Sequence, residues 1–153
     1  MTRLSGKLVG GTAAIAAAAL MVPSAPALNK PGAVTLSAAM KAHSYVDAGA
    51  HGRSAGDVDV YRFVLYNKRI QAKPLGHGEM VCTTVAGATQ SCNATYFLPR
   101  GELVVSGVIS SRLIYVLAVV GGTDLYNNVR GTLTVTSVRR APARDLLVFR
   151  LTV

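Results

Sequence analysis

The stretch VVGGTDLYNNVRGTLTV, Val119 to Val135, sets two glycines, a polar turn and a third glycine between two runs of β-branched residues. Branching at Cβ stiffens a side chain and suits it to extended backbone, so each run reads as a strand. Gly121 and Gly122 admit backbone angles closed to other residues, and Asn127 and Asn128 tolerate left-handed turns. The stretch therefore predicts a reversal between two antiparallel strands. Gly131, inside the second run, marks a bulge or a close backbone approach where the sheet bends.

The same texture continues outward in both directions. DVDVYRFVLYNK, from Asp57, is an unbroken β-branched and aromatic run whose two alternating faces are both largely apolar. That pattern fits a strand covered on both sides or one lining a closed barrel. Further strand-like segments follow at Gly78–Val85, Ser91–Leu98, Glu102–Ser110, Arg112–Val120, Val129–Val138 and Asp145–Val153, with turn residues between them. The links are short, so neighbours pair antiparallel, a parallel crossover needing about a dozen residues. Seven such strands leave two edges to hide, and closure into a barrel hides them. Leu103–Val120 is long and apolar, but Arg112 beside Ser110 and Ser111 divides it into two strands around a tight turn rather than a membrane helix.

A hairpin turning at Gly87 sets Cys82 directly opposite Cys92, close enough for a disulfide. The beginning of the chain supports an oxidising destination for that pair. Residues 1–27 carry Arg3 and Lys7, an apolar run from Leu8 to Val22 and Ala25-Pro26-Ala27, the layout of a cleaved signal peptide. The expectation is a secreted, extracellular protein with a bridged cysteine pair. Residues 28–56, rich in Ala, Gly and Ser and without a sustained period, read as a flexible arm. Only Val34–His43 suggests a short helix or an edge strand, and residues 57–153 form the domain.

Removing Arg3 and Lys7 lowers the formal charge from +9 to +7. The remaining basic residues are scattered, with no run longer than two and no interleaved aromatic residues, so no nucleic-acid partner is expected. Nor is stable membrane insertion expected after cleavage. His43, His51 and His77 stand apart from each other and from the cysteines, so no metal site is expected and no cofactor is called for. There is no G-x-S-x-G, no H-E-x-x-H and no close pair of acids of the kind hydrolases use. Asn93–Thr95 matches a glycosylation acceptor, which carries no meaning in a chain of bacterial, Ala- and Arg-rich style.

Four pieces in order, GHGEMVCTTV from Gly76, CNATYFLPRGELVVSGVI from Cys92, LAVVGGTDLYNNVRGTLTV from Leu117 and LLVFRLTV from Leu146, resemble the allene oxide cyclase/dirigent barrel superfamily. The resemblance covers Val58 to the C-terminus. It implies an all-β fold, a closed antiparallel eight-stranded barrel with a lumen open at one end. With seven strands counted, the eighth comes from the arm or from splitting Asp57–Val85. Asp124 stands where the family usually has a third turn glycine, which implies a reshaped loop. The family's catalytic carboxylate and amide fall on Arg62 and Val64, which do neither job, so allene oxide cyclisation as such is not expected. Cys82 aligns with a cysteine that lines the family's lumen.

Within that frame the candidate lumen residues are Arg62, Tyr66, Tyr96 and Asp59. A charge on a buried face needs a carboxylate or a ligand anion, so an inward Arg62 is read as a clamp for a carboxylate or phenolate, assisted by Tyr66 or Tyr96. With both faces of its strand apolar, the opposite orientation, with Arg62 solvated outside, stands equally open. His77 is the one histidine placed to act as a base, although a glycine-rich strand start leaves it exposed. Two functions follow. One is a cofactor-free cyclase or stereocontrol protein, an isomerase in reaction class, working by positioning and water exclusion. The other is a non-catalytic exported barrel that binds a ligand or a cell-surface partner. Either takes a small apolar or acidic-apolar ligand, and assembly into a homo-oligomer is left open.

Overall fold

A computed structural model describes residues 32–68, 72–138 and 143–153. The signal peptide expected over residues 1–27 and the first four residues of the expected arm lie outside the described residues. Eight strands follow in chain order: β1 (Gly32–Val46), β2 (Val58–Asn67), β3 (Pro74–Ala86), β4 (Thr89–Leu98), β5 (Gly101–Ile109), β6 (Ile114–Gly122), β7 (Arg130–Val138) and β8 (Arg144–Thr152). Each pairs antiparallel with the next, and β8 pairs with β1 from Gly32↔Leu151 to Ala38↔Asp145, which closes the barrel. No helix among the described residues is long and apolar enough to cross a membrane.

The eighth strand is β1, which comes from the arm, one of the two sources expected, so the barrel begins at Gly32 rather than at residue 57. Gly32–Val46 is a strand paired on both sides rather than a flexible arm or an edge strand. Its small residues have weak intrinsic strand preference, and pairing on both sides supplies what propensity lacks. Its missing period also has a cause. The register shifts between Met40 and Ala42, so Leu36, Ala38 and Met40 share the inner face before the bulge and His43 and Tyr45 share it after. A two-residue alternation broken in the middle leaves no pattern to count.

The register of the other strands follows from which face is apolar. In β2, Asp59, Tyr61, Phe63 and Leu65 are buried and alternate with the exposed Val60 and Arg62. The β3–β4 hairpin pairs Cys82 with Cys92 as expected, with Cα atoms 4.1 Å apart and the disulfide formed. Inside the barrel Phe149, Leu65, Leu103, Leu117 and Leu133 are almost wholly buried, and Phe149 meets the Tyr96 ring edge-on at 5.3 Å. An eight-stranded barrel is just wide enough for side chains to fill, and here they fill its middle. The lumen implied by the resemblance is thereby confined to a pocket near its open end.

The opposite end is shut by the opening stretch. After β6 comes a 3-10 turn, η1 (Asp124–Tyr126), whose Tyr126 is buried together with Val129 just beyond it. Asp124 and Asn128 take left-handed backbone, with φ of 51° and 61°, a region that glycine enters freely and that Asp and Asn tolerate. Gly122 is required for space rather than angle: an added Cβ would lie 2.7 Å from Tyr126 Cβ. Gly131 needs both freedoms, at φ 143° and with the Arg150 carbonyl where a Cβ would go.

Candidate functional site

At the open end gather the C-terminal ends of β1, β3, β5 and β7 and the N-terminal ends of β2, β4, β6 and β8. The strands leave a pocket of about 90 Å³ there. Its apolar wall includes Met40, Phe63, Met80 and Ile109, with the disulfide sulfur of Cys82 beside them. Its polar groups are Tyr61, Tyr115, Gln90, Arg112, Ser137 and Asp145.

These polar groups are placed by strand alternation. Asp145 opens the β8 series Asp145, Leu147, Phe149, Leu151, and Tyr115 opens the β6 series Tyr115, Leu117, Val119. In each series the inward position nearest the mouth is polar and the deeper ones are apolar. Burial raises the Asp145 carboxyl above the usual carboxylate range, against a lowering hydrogen bond from Ser137. Burial, then the Asp145 and Tyr61 charges, pushes the Tyr115 phenol up, while Arg112 pulls it down. Burial raises Tyr61 as well, and Arg112 opposes the rise by charge and hydrogen bond. The arrangement holds a carboxyl biased toward its neutral form, two protonated phenols and one guanidinium around an apolar floor. Such a set donates hydrogen bonds to an oxygen on a ligand and can pass it a proton from Asp145.

A buried network backs the polar side. Asp59 accepts hydrogen bonds from Arg53 at 2.9 and 3.1 Å and from the Gln90 amide at 2.6 Å, and meets His43 Nε2 at 2.6 Å. Burial alone would raise its pKa, but Arg53, His43 and Gln90 together hold it well below the usual carboxylate value. Beside it Asp57 accepts from Tyr45 Oη at 2.6 Å and from the backbone N–H groups of Ser54 and Ala48. The Tyr45 hydrogen bond leads in lowering Asp57 to about 2. The two carboxylates thus pin the loop of residues 47–57 to the barrel end.

The sequence candidates separate accordingly. Asp59 faces inward, but its oxygens are engaged by protein donors. Tyr96 is buried deeper than the pocket, against Phe149, and burial pushes its phenol far up. Arg62 points outward, correcting the lumen-clamp alternative: it is exposed and pairs with Glu79 across β2–β3 at 2.6 Å. Tyr66 lies on the outer face as well, under the Arg144 guanidinium at 4.2 Å, so the two do not assist a lumen clamp. His77 stacks on Phe97 at 4.4 Å on the outside. The sequence reading missed Arg112, Asp145, Tyr61, Tyr115 and Gln90. An acid at the head of an apolar inward series was the available signal for Asp145. No group of three or more potential metal ligands occurs among the described residues.

No protein-family model matches the chain, and no curated protein matches its sequence. Solved structures do match. A pyocyanin demethylase superimposes with a TM-score of 0.69 at 24% identity, covering 79% of this chain and 100% of that one. The pterocarpan synthase dirigent protein PsPTS1 gives 0.61 at 16% identity, over 80% and 94% of the two chains. AbnU, an exo-specific intermolecular Diels-Alderase, gives 0.60 at 11% identity, over 80% and 98%. At such identities the likeness is one of fold, and the fold is that of the allene oxide cyclase/dirigent-like eight-stranded barrel.

Proposed function

We propose that this barrel is an exported protein that binds one small, largely apolar molecule at its open end and directs it through a cofactor-free cyclisation or stereoselective coupling. The observation that carries the reading is the convergence of Asp145, Tyr115, Tyr61 and Arg112 on one apolar pocket in a barrel otherwise packed shut. Dirigent and Diels-Alderase proteins among the structural matches support the chemical class, and the Cys82–Cys92 disulfide supports an oxidising compartment. Positioning does most of the work in this mechanism. The walls hold the reacting segment in one conformation and exclude water, while Asp145 supplies a proton to an oxygen gaining charge. A cavity that binds benzene measures about 150 Å³. A pocket of about 90 Å³ therefore takes the reacting edge of a ligand while the rest projects through the mouth.

The small volume and the single acid among the described residues lining the pocket favour a second reading, a barrel that carries its ligand unchanged. Native mass spectrometry of the secreted protein tests both. A bound small molecule is expected, and its conversion on release and re-addition distinguishes catalysis from carriage. A protein that never retains a ligand, from its own culture or from an aromatic panel, ends both readings.

A further inference from the structure

Arg112 sits in the turn between β5 and β6 and is, among the described residues, the one arginine or lysine lining the mouth pocket. Among the described residues no carboxylate lies within ion-pairing distance of it; the acidic ion-pair partners are Asp47, Asp59 and Glu79, each engaged by another side chain. Its contacts are neutral ones. Gln90 Oε1 stands 3.5 Å from Nη2, a long and weak hydrogen bond, and the Tyr61 and Tyr115 phenols feel its charge.

The direction of the Gln90 amide follows from Asp59. That carboxylate only accepts, and the Gln90 nitrogen lies 2.6 Å from its Oδ2, so the NH₂ end must face Asp59 and the carbonyl end must face Arg112. The buried network therefore presents an acceptor that steadies the guanidinium without neutralising it. A guanidinium left uncompensated beside an apolar cavity is built to meet a planar anion, because two parallel N–H groups match two acid oxygens.

We propose that the mouth pocket selects a flat, singly anionic and otherwise apolar molecule, its acid group on Arg112 and its body against Met40, Phe63, Met80 and Ile109. The inference rests on the ligand-binding reading above and names the ligand class. One anionic group is accommodated and a second finds no partner, since among the described residues Arg112 is the one cation lining the pocket and the remaining polar lining is phenol, amide, hydroxyl and carboxyl. Gln90 acts as a positioning residue.

The test titrates cinnamate, cinnamamide and cinnamylamine by ligand-observed NMR against the wild type, Arg112→Gln and Arg112→Lys. Expected is binding of cinnamate about tenfold tighter than cinnamamide, and little binding of the amine. Arg112→Gln removes the preference while keeping the amide's affinity, and Arg112→Lys restores part of it. Arg112 is exposed in a turn, so neither variant threatens the fold. If cinnamate and cinnamamide bind equally to the wild type, or the preference survives in Arg112→Gln, the anion selection is wrong and the ligand site stands. If none of the three binds, the ligand-site reading fails and takes this inference with it.

Discussion

Arg53 forks its two terminal nitrogens onto the two oxygens of Asp59, at 2.9 and 3.1 Å, and so ties the loop after β1 to the inner face of β2. Asp59 is fully buried, whereas the Arg53 side chain is 47% exposed, so the two ends of the contact are worth different amounts. Asp59→Ala strands three donors and is expected to cost about 3 kcal/mol or more in urea unfolding. Arg53→Ala leaves His43 and Gln90 on the carboxylate and should cost about 1 kcal/mol. Equal losses for the two variants would contradict this division.

Acid should unfold the barrel through this same end. Asp57 is lowered to about 2, Tyr45 leading among the causes, and Asp59 is lowered too, so both add stability that is full above the ordinary carboxylate value of 3.8. That stability drains as the pH falls from about 4 toward 2. Asp145 works in the opposite sense. Raised by burial, its carboxyl holds its proton to higher pH in the fold than in the unfolded chain, so its contribution declines as the pH climbs above 3.8 through its folded value. Denaturant midpoints from pH 2 to 8 should fall steeply below pH 4, and Asp145→Asn should flatten the decline above it.

Joining Cys82 to Cys92 closes a short loop, for which chain-entropy arguments give about 3 kcal/mol. Reduction should lower the melting temperature by about 10 °C in a chain of this size. Thiol counting on the denatured, unreduced protein should find no free cysteine; two free thiols would remove the bridge.

Two substitutions at the shut end should diverge. Gly131→Ala puts a Cβ against the Arg150 carbonyl at φ 143°, and should cost about 2 kcal/mol or more. Asp124→Gly sits at φ 51°, which glycine adopts freely, and should stay within about 0.5 kcal/mol of the wild type. Calorimetric melting of both variants checks the pair.

Much of the barrel was legible because its strands alternate plainly and its turns carry glycine or asparagine. The Cys82–Cys92 pairing and the close approach at Gly131 were readable for that reason. β1 was not, since its bulge at Lys41 reverses the alternation halfway and its alanines carry no strand signal. The orientation of β2 was undecidable locally. Phe63 and Leu65 on one face are matched by Val60 and Val64 on the other, and only pairing with Glu79 on β3 shows Arg62 outside. The pocket was hidden for a further reason. Its polar members come from six different segments, and register through the whole cylinder, not spacing within one stretch, brings them to one rim.

The seam between β1 and β8 joins the first described strand to the last, Gly32 beside Leu151. During synthesis the leading ribbon must therefore wait, edge bare, until its final neighbour leaves the ribosome. A nascent chain stalled before that moment is a curled sheet with two sticky margins, and the cell must shield it or lose it to clumping.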